Sequence, residues 1–251
     1  MNNQRSEKRN IKLVIEYDGT GYHGWQSQIN AVSIQDTLEQ AITKVMCHPV
    51  ILIGAGRTDA GVHAFGQAAN FFTSSKIPTE KIPYALNSAL PDDIVVREAH
   101  IVSQEFHSRY SAKGKKYRYI INNSTFPSAL ERNRGYYCPY KLNTGLMEEA
   151  LHLFRGEHDF KGFMAAGRPV KDTIRNIYEA NLWQNNNRIV IEVSGNGFLY
   201  NMVRIIVGTL IDVGRSKLSI IDVERILKEG DRSKAGKTVP PQGLYLVEVY
   251  Y

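Results

Sequence analysis

Residues 11–21, IKLVIEYDGTG, and 33–45, SIQDTLEQAITKV, decide how the fold begins. In the first stretch Ile11, Leu13, Ile15 and Tyr17 alternate with polar neighbours, the period-two pattern of a half-buried strand, and the turn signal Asp18-Gly19-Thr20-Gly21 ends it. In the second, Ser33 and Asp36 make a capping box, and Ile34, Leu38, Ala41, Ile42 and Val45 recur at helical spacing. A short apolar strand over 50–55 then leads through a glycine-bearing loop to a strand over 64–72. A helix over 79–89 and a strand over 94–102 follow. The order is β-α-β-β-α-β.

The second half repeats that order without repeating its residues. A strand over 116–122 precedes a helix over 144–154, and strands over 173–183 and 188–194 flank the turn 184–187. Helices over 200–213 and 219–228 and a last strand over 244–250 complete it. The expected fold is α/β, more closely α+β: two ferredoxin-like, RRM-like halves, residues 8–104 and 105–251, around a central, mostly antiparallel sheet with a cleft between the halves. The boundary is expected between Ser103 and Lys113.

Composition narrows the function classes. The 251 residues are 43% hydrophobic and 22% charged, which excludes a disordered or collagen-like chain. The start, MNNQRSEKRN, is polar and basic, with no apolar run after it long enough for a signal or a membrane span, so a cytoplasmic protein is expected. Cys47 and Cys138 are far apart, without a CxxC, and suit neither a disulfide framework nor a zinc ribbon; both are expected to be buried thiols. Seven histidines show no HExxH and no close His/Cys cluster, so no metal site is expected.

The net charge of +6 favours a polyanionic partner. Its distribution says more: from Arg109 to Arg118, RYSAKGKKYR holds five cations, no anion, and tyrosines at 110 and 117. Two readings fit, a strand edge guarded by lysines and a groove whose rings stack on unpaired bases.

Gly54 to Gln67, GAGRTDAGVHAFGQ, is the most informative stretch. Gly54, Gly56 and Gly61 permit tight turning, so Arg57, Thr58 and Asp59 can be presented at a strand end. A phosphate loop fails here: Asp59 stands where a dinucleotide fingerprint wants a small residue, a strand follows, and no GK[ST] is present. Arg57 and Asp59 could also be a surface ion pair worth about 1 kcal/mol at most. A third polar group shifts the balance. The helix opened by GNGFLYNMVR, 195–204, carries Arg204 beside Ile205, Ile206 and Leu210 on its apolar face. Such a cation either pairs with a buried anion, for which Asp59 is a candidate, or snorkels to solvent. His63 suits backbone bonding or RNA contact better than proton transfer. Tyr22, His23, Trp25 and Gln26 fit an RNA path or a satisfied turn equally, and Phe65, Phe71 and Phe72 alternate in a strand whose inner face packs the core.

Eight segments in order along nearly the whole chain resemble the tRNA pseudouridine synthase A family: 14–28 (VIEYDGTGYHGWQSQ), 33–41 (SIQDTLEQA), 54–67 (GAGRTDAGVHAFGQ), 106–119 (FHSRYSAKGKKYRY), 156–160 (GEHDF), 173–177 (TIRNI), 195–210 (GNGFLYNMVRIIVGTL) and 240–249 (PPQGLYLVEV). Residues 163–169, FMAAGRP, depart from its pattern. The resemblance implies an isomerase that breaks the uridine N1–C1′ bond, turns the uracil and rejoins it through C5, with neither cofactor nor metal. It implies a catalytic role for Asp59, with Arg204 as its ion-pair partner. Tyr117 would stack on the flipped uracil or help remove the C5 proton, Leu244 would close the pocket's other side, and Arg57 would fill the space the base leaves. His63 is carried as a substrate-binding candidate. The implied partner is the anticodon arm of tRNA, at uridines 38, 39 and 40, met by a homodimer. Two rival classes fit less well. A tandem RRM-like binding module would show an RNP1 run, and a metal-dependent phosphate-cleaving enzyme would need further carboxylates beside Asp59.

Overall fold

A computed structural model describes residues 8–167, 170 and 172–251. Of the atypical stretch 163–169, Arg168 and Pro169 lie outside the described residues. The chain divides into two compact units, one running to Lys113 and resumed over Leu246–Tyr251, the other Gly114–Tyr245.

In the first unit β1 (Arg9–Tyr17) leads to α1 (Ile34–Met46), β2 (Ile53–Gly54), β3 (His63–Thr73), α2 (Ile82–Asn87) and β4 (Ile94–Val102). β1 lies in the middle, antiparallel to β3 on one side and to β4 on the other. Its alternation sends Ile11, Leu13, Ile15 and Tyr17 into the core. Ser33 caps α1, its hydroxyl oxygen accepting from the Asp36 N–H at 3.1 Å, and Ile34, Leu38, Ala41, Ile42 and Met46 are buried. The helix stops at Cys47, whose φ of 58° is left-handed. That position turns Cys47 outward, so only Cys138 of the two thiols is buried, against the expectation for both.

Two elements are shorter than the sequence pattern suggests. β2 keeps two residues, and its Gly54 stands where a side chain would strike the Trp25 indole at 2.4 Å. The helix expected over 79–89 divides into a 3-10 turn, Thr79–Lys81, and α2, since Pro83 has no N–H to continue a longer ladder and is tolerated only in a first turn.

In the second unit β5 (Gly114–Asn122), β6 (Tyr136–Tyr137), α3 (Thr144–His152), β7 (Gly156–Asp159), β8 (Ile174–Asn185), β9 (Arg188–Gly195), α4 (Met202–Gly214) and α5 (Ile220–Glu229) follow in order. The sheet runs β5-β9-β8-β7, all antiparallel, with β6 parallel to β5. β6 and β7 escape the sequence pattern because two and four residues are too short to show a period. α4 is buried almost all round, as a core helix with apolar residues on every face must be. Phe154, Phe160 and Phe163 pack together with ring centroids 4.9–6.4 Å apart. β10 (Leu244–Tyr250) starts in this unit and from Leu246 continues in the first, where it lies beside β3.

Candidate active site

The loop between β2 and β3 carries Arg57, Thr58 and Asp59, and neighbours hold its backbone on several sides. The Ala55 N–H donates to the Ala68 carbonyl at 2.8 Å, and Gln67 Nε2 donates to the Gly56 carbonyl at 3.0 Å. The Trp25 N–H donates to the Thr58 carbonyl at 3.0 Å, and the Thr58 hydroxyl meets the Tyr17 hydroxyl at 2.7 Å inside the core. The Val62 N–H reaches back to the Asp59 carbonyl at 3.1 Å, which closes a tight turn with Gly61 at φ 75°. Thr58 is therefore the buried anchor. Arg57, one residue before it, is exposed, and Asp59, one after, is half-buried.

His63 follows this loop as the first residue of β3, 2% exposed, with Nδ1 3.1 Å from both the Gly19 N–H nitrogen and an Asp18 carboxylate oxygen. It ties the loop to the turn after β1. Trp25 and Tyr22 are buried in the same neighbourhood, and the Tyr22 hydroxyl donates to Asp93 at 2.6 Å. Burial first and Asp93 second push the Tyr22 phenol well above its ordinary range, so it remains a neutral donor. Of the four residues that suit either an RNA path or a turn, these two are turn scaffold, while His23 is exposed.

In the second unit Tyr117 lies on β5, 9% exposed, with the edge of its ring system against Phe198 at 5.0 Å and 81°. Phe198 follows β9 in a loop tied to β8 by Asn196, whose N–H donates to the Asn176 carbonyl and whose side-chain oxygen accepts from the Asn176 N–H, both at 3.0 Å. Arg204, in the first turn of α4, is half-buried. Its Nε donates to the Val239 carbonyl and one terminal nitrogen to Asn201 Oδ1, each at 2.7 Å. Asn201 precedes the helix at φ 59°, a left-handed position that asparagine tolerates better than most residues.

The Val239 carbonyl is itself placed by close packing: a Cβ at Gly208 of α4 would stand 1.9 Å from the Lys237 carbonyl oxygen. Further along, the Tyr119 hydroxyl donates to the Pro240 carbonyl at 2.7 Å, and Gly243 lies flat against the Tyr119 ring. Burial raises the Tyr119 phenol well above its usual range and keeps it a donor. Leu244 opens β10 directly after this clamp, 7% exposed.

The six residues singled out in the sequence thus fall into two groups. Arg57, Asp59 and His63 share one framed loop of the first unit, and Tyr117, Arg204 and Leu244 are set on β5, α4 and β10 of the second. Sequence reasoning missed Tyr17 and Thr58 as the anchor of the loop and Asn201 as an acceptor for Arg204. An asparagine just before a helix was the one available signal. Among the described residues no group of three or more His, Cys, Asp or Glu side chains could hold a metal ion, and no helix is long and apolar enough to cross a membrane.

A family model described as tRNA pseudouridine synthase matches residues 13–111 and 150–251. The tRNA pseudouridine synthase A of Acetivibrio thermocellus is 53% identical over 97% of this chain and the whole of its own length. That of Ruminiclostridium cellulolyticum is 54% identical with the same coverage. A much looser likeness, TM-score 0.34 at 9% identity over 89% of this chain and 59% of the other, is to the archaeal box H/ACA sRNP Nop10-Cbf5 complex. A family model that spans most of the chain, with the aspartate loop and the Arg204 segment inside the match, and relatives more than half identical over their whole length leave one conclusion: the chain belongs to the tRNA pseudouridine synthase family.

Proposed function

We propose that the protein isomerises uridine to pseudouridine at positions 38, 39 and 40 in the anticodon arm of tRNA, with Asp59 as the catalytic carboxylate. The observation that carries this reading is the framing of the aspartate loop. A carboxylate that attacks either the sugar or the ring, or takes up a proton, must be held in one place, and preorganisation of that kind is worth several orders of magnitude. The backbone bonds from Trp25, Gln67 and Val62 supply it.

The reaction is an isomerisation, so atoms balance within the substrate. The N1–C1′ bond breaks, the uracil turns, a C5–C1′ bond forms, and the proton lost from C5 is matched by one gained at N1. The family resemblance supports Arg204 as the counter-charge to Asp59, and Asn201 and the Val239 carbonyl orient its guanidinium. Tyr117 offers a ring for the uracil or a group near its C5, and Leu244 an apolar wall. Arg57, exposed one residue from the buried Thr58, enters the space the base leaves and offsets the few kcal/mol of lost stacking, about the cost of flipping. His63, directly after the loop, is bonded to the turn that follows β1, and its contribution to substrate binding runs through the placing of that strand end. The family resemblance further supports a cytoplasmic homodimer working without cofactor or metal.

The test uses unmodified tRNA transcript with purified, metal-free protein, nuclease digestion and nucleoside chromatography, because the product has the mass of its substrate. Wild type should form pseudouridine, and Asp59→Asn should bind tRNA yet form none. Pseudouridine from Asp59→Asn at the wild-type rate would remove Asp59 from its role.

A further inference from the structure

Residues 106–111, FHSRYS, form a turn that none of the roles above uses, and it is anchored far more firmly than a surface connection needs. Its ends are closed by the Ser111 N–H to the His107 carbonyl at 2.9 Å and the His107 N–H to Ser111 Oγ at 3.1 Å. Ser108, fully buried, donates its N–H to Asn70 Oδ1 at 2.8 Å and accepts from the Tyr251 hydroxyl at 2.9 Å. Asn70 Nδ2 in turn donates to Asn10 Oδ1 at 2.9 Å, and Asn10 Nδ2 to the Ser103 and Phe106 carbonyls at 2.8 and 2.9 Å. Two buried asparagines thus hold this turn to the sheet through a chain of hydrogen bonds.

What the turn holds outward is aromatic and cationic. His107 Nδ1 accepts from the N–H groups of Arg109 and Tyr110 at 3.2 and 3.3 Å, which fixes the orientation of the ring. The Tyr110 ring lies against it, centroids 4.3 Å apart at 32°, and is 77% exposed. The Arg109 guanidinium lies over that ring, its Cζ 5.7 Å from the centroid, and among the described residues no carboxylate pairs with it. A ring kept for packing would be covered, and a cation kept for stability would have an anion. Here the Tyr110 ring stays largely exposed and the Arg109 charge unneutralised, both on a rigid mount.

We propose that His107 and Tyr110 form a stacking platform for an unpaired base of the RNA substrate, apart from the reacting uridine, with Arg109 on the adjoining phosphate. The inference rests on the reading above that the substrate is RNA. Rings held in advance lose little entropy when a base stacks on them, and a single-stranded backbone brings its phosphate within reach of the neighbouring cation.

The test compares Tyr110→Ala, Tyr110→Phe and Arg109→Ala of the full chain for tRNA binding across a salt series and for pseudouridine formation. Tyr110→Ala should weaken binding and raise KM about tenfold with kcat unchanged, and Tyr110→Phe should match wild type, because the face and not the hydroxyl is used. Arg109→Ala should flatten the slope of log K against log salt by about 0.7, as expected for one single-stranded phosphate contact, whereas Tyr110→Ala should leave the slope alone. Tyr110→Ala binding like wild type overturns the platform, and so does Tyr110→Phe failing as badly as Tyr110→Ala. Failure of the proposed reaction is read separately, from wild type forming no pseudouridine, because RNA binding judges the platform whether or not the chemistry occurs.

Discussion

Replacing Gly24 by alanine should cripple the chemistry while leaving tRNA binding in place. Gly24 has φ +94°, and a Cβ there would stand 2.5 Å from the Thr58 carbonyl oxygen, 3.1 Å from the Asp59 carbonyl carbon and 3.2 Å from the Ala60 nitrogen. All three neighbours are backbone, so none can swing aside. To restore an ordinary contact of 3.4 Å the Thr58 oxygen must retreat by about 0.9 Å, and the 3.0 Å bond from the Trp25 N–H opens with it. The backbone conformation adds about 1–3 kcal/mol of strain for any L side chain. Asp59 rides on the displaced peptide, and a shift of roughly 1 Å at a reacting group costs about 10²-fold in rate. The assay is single-turnover pseudouridine formation with enzyme in excess, beside Gly21→Ala, where an added Cβ meets nothing within 4 Å and φ is not positive. Gly21→Ala should keep the wild-type rate within about twofold, the range expected of a substitution that meets nothing. A folded Gly24→Ala protein that also keeps it would refute the claim that loop framing places the carboxylate.

Two further outcomes follow from buried polar groups in the first unit. Asn70→Ala removes an acceptor from the Ser108 N–H and a donor from Asn10, each now buried without its partner, so unfolding in urea should show a loss of about 2–6 kcal/mol with unchanged slope; a loss below about 1 kcal/mol would sink the idea that this network holds the turn. Tyr251 has its phenol pushed up to about 12, mainly by burial, from an ordinary 10.0, so the folded state favours the neutral form. Its contribution is whole below pH 10 and is lost as pH rises through about 12, and Tyr22 and Tyr119 shift the same way. Urea midpoints should therefore fall over that window, less steeply in Tyr251→Phe; an unchanged slope in that variant would show that the phenol is not what titrates.

Much of the fold was legible because its longer elements obey a period. The burial of Ile11, Leu13, Ile15 and Tyr17 follows the alternation read from β1, and the boundaries of β4 and β10 are those expected. α5 carries a full capping box that the sequence reading did not single out, with Ser219 and Asp222 reciprocally bonded. The pair before α1 shares the hydroxyl–carboxylate bond, Ser33 to Asp36 at 2.6 Å, but of the two only the α5 carboxylate also accepts from the N–H of its cap residue, at 2.9 Å. What failed was local chemistry without period. Cys47 reads as a small hydrophobe until its left-handed backbone turns it outward, and β6 and β7 are too short to carry a pattern.

The candidate site divides along the same line, for a reason that lies in the kinds of atoms used. Arg57, Asp59, Tyr117 and Arg204 stand out in a sequence because charged and phenolic groups are rare inside glycine-rich or apolar segments. The groups that aim them are largely backbone: the Thr58 and Gly56 carbonyls under the aspartate loop, and the Val239 carbonyl at Arg204. Every residue supplies a carbonyl, so no residue type announces that its carbonyl will be an acceptor. Backbone acceptors also suit the task. They fix a guanidinium or a loop without bringing a full counter-charge, so they set direction while leaving the field of Arg204 to act on whatever anion faces it. Asn201 does the same with a neutral amide oxygen, and it can do so from a left-handed position that would strain most other side chains. Candidate chemistry is thus legible in residue identity and aim in main-chain geometry, which is why the candidate groups could be picked out in the sequence and their supports could not.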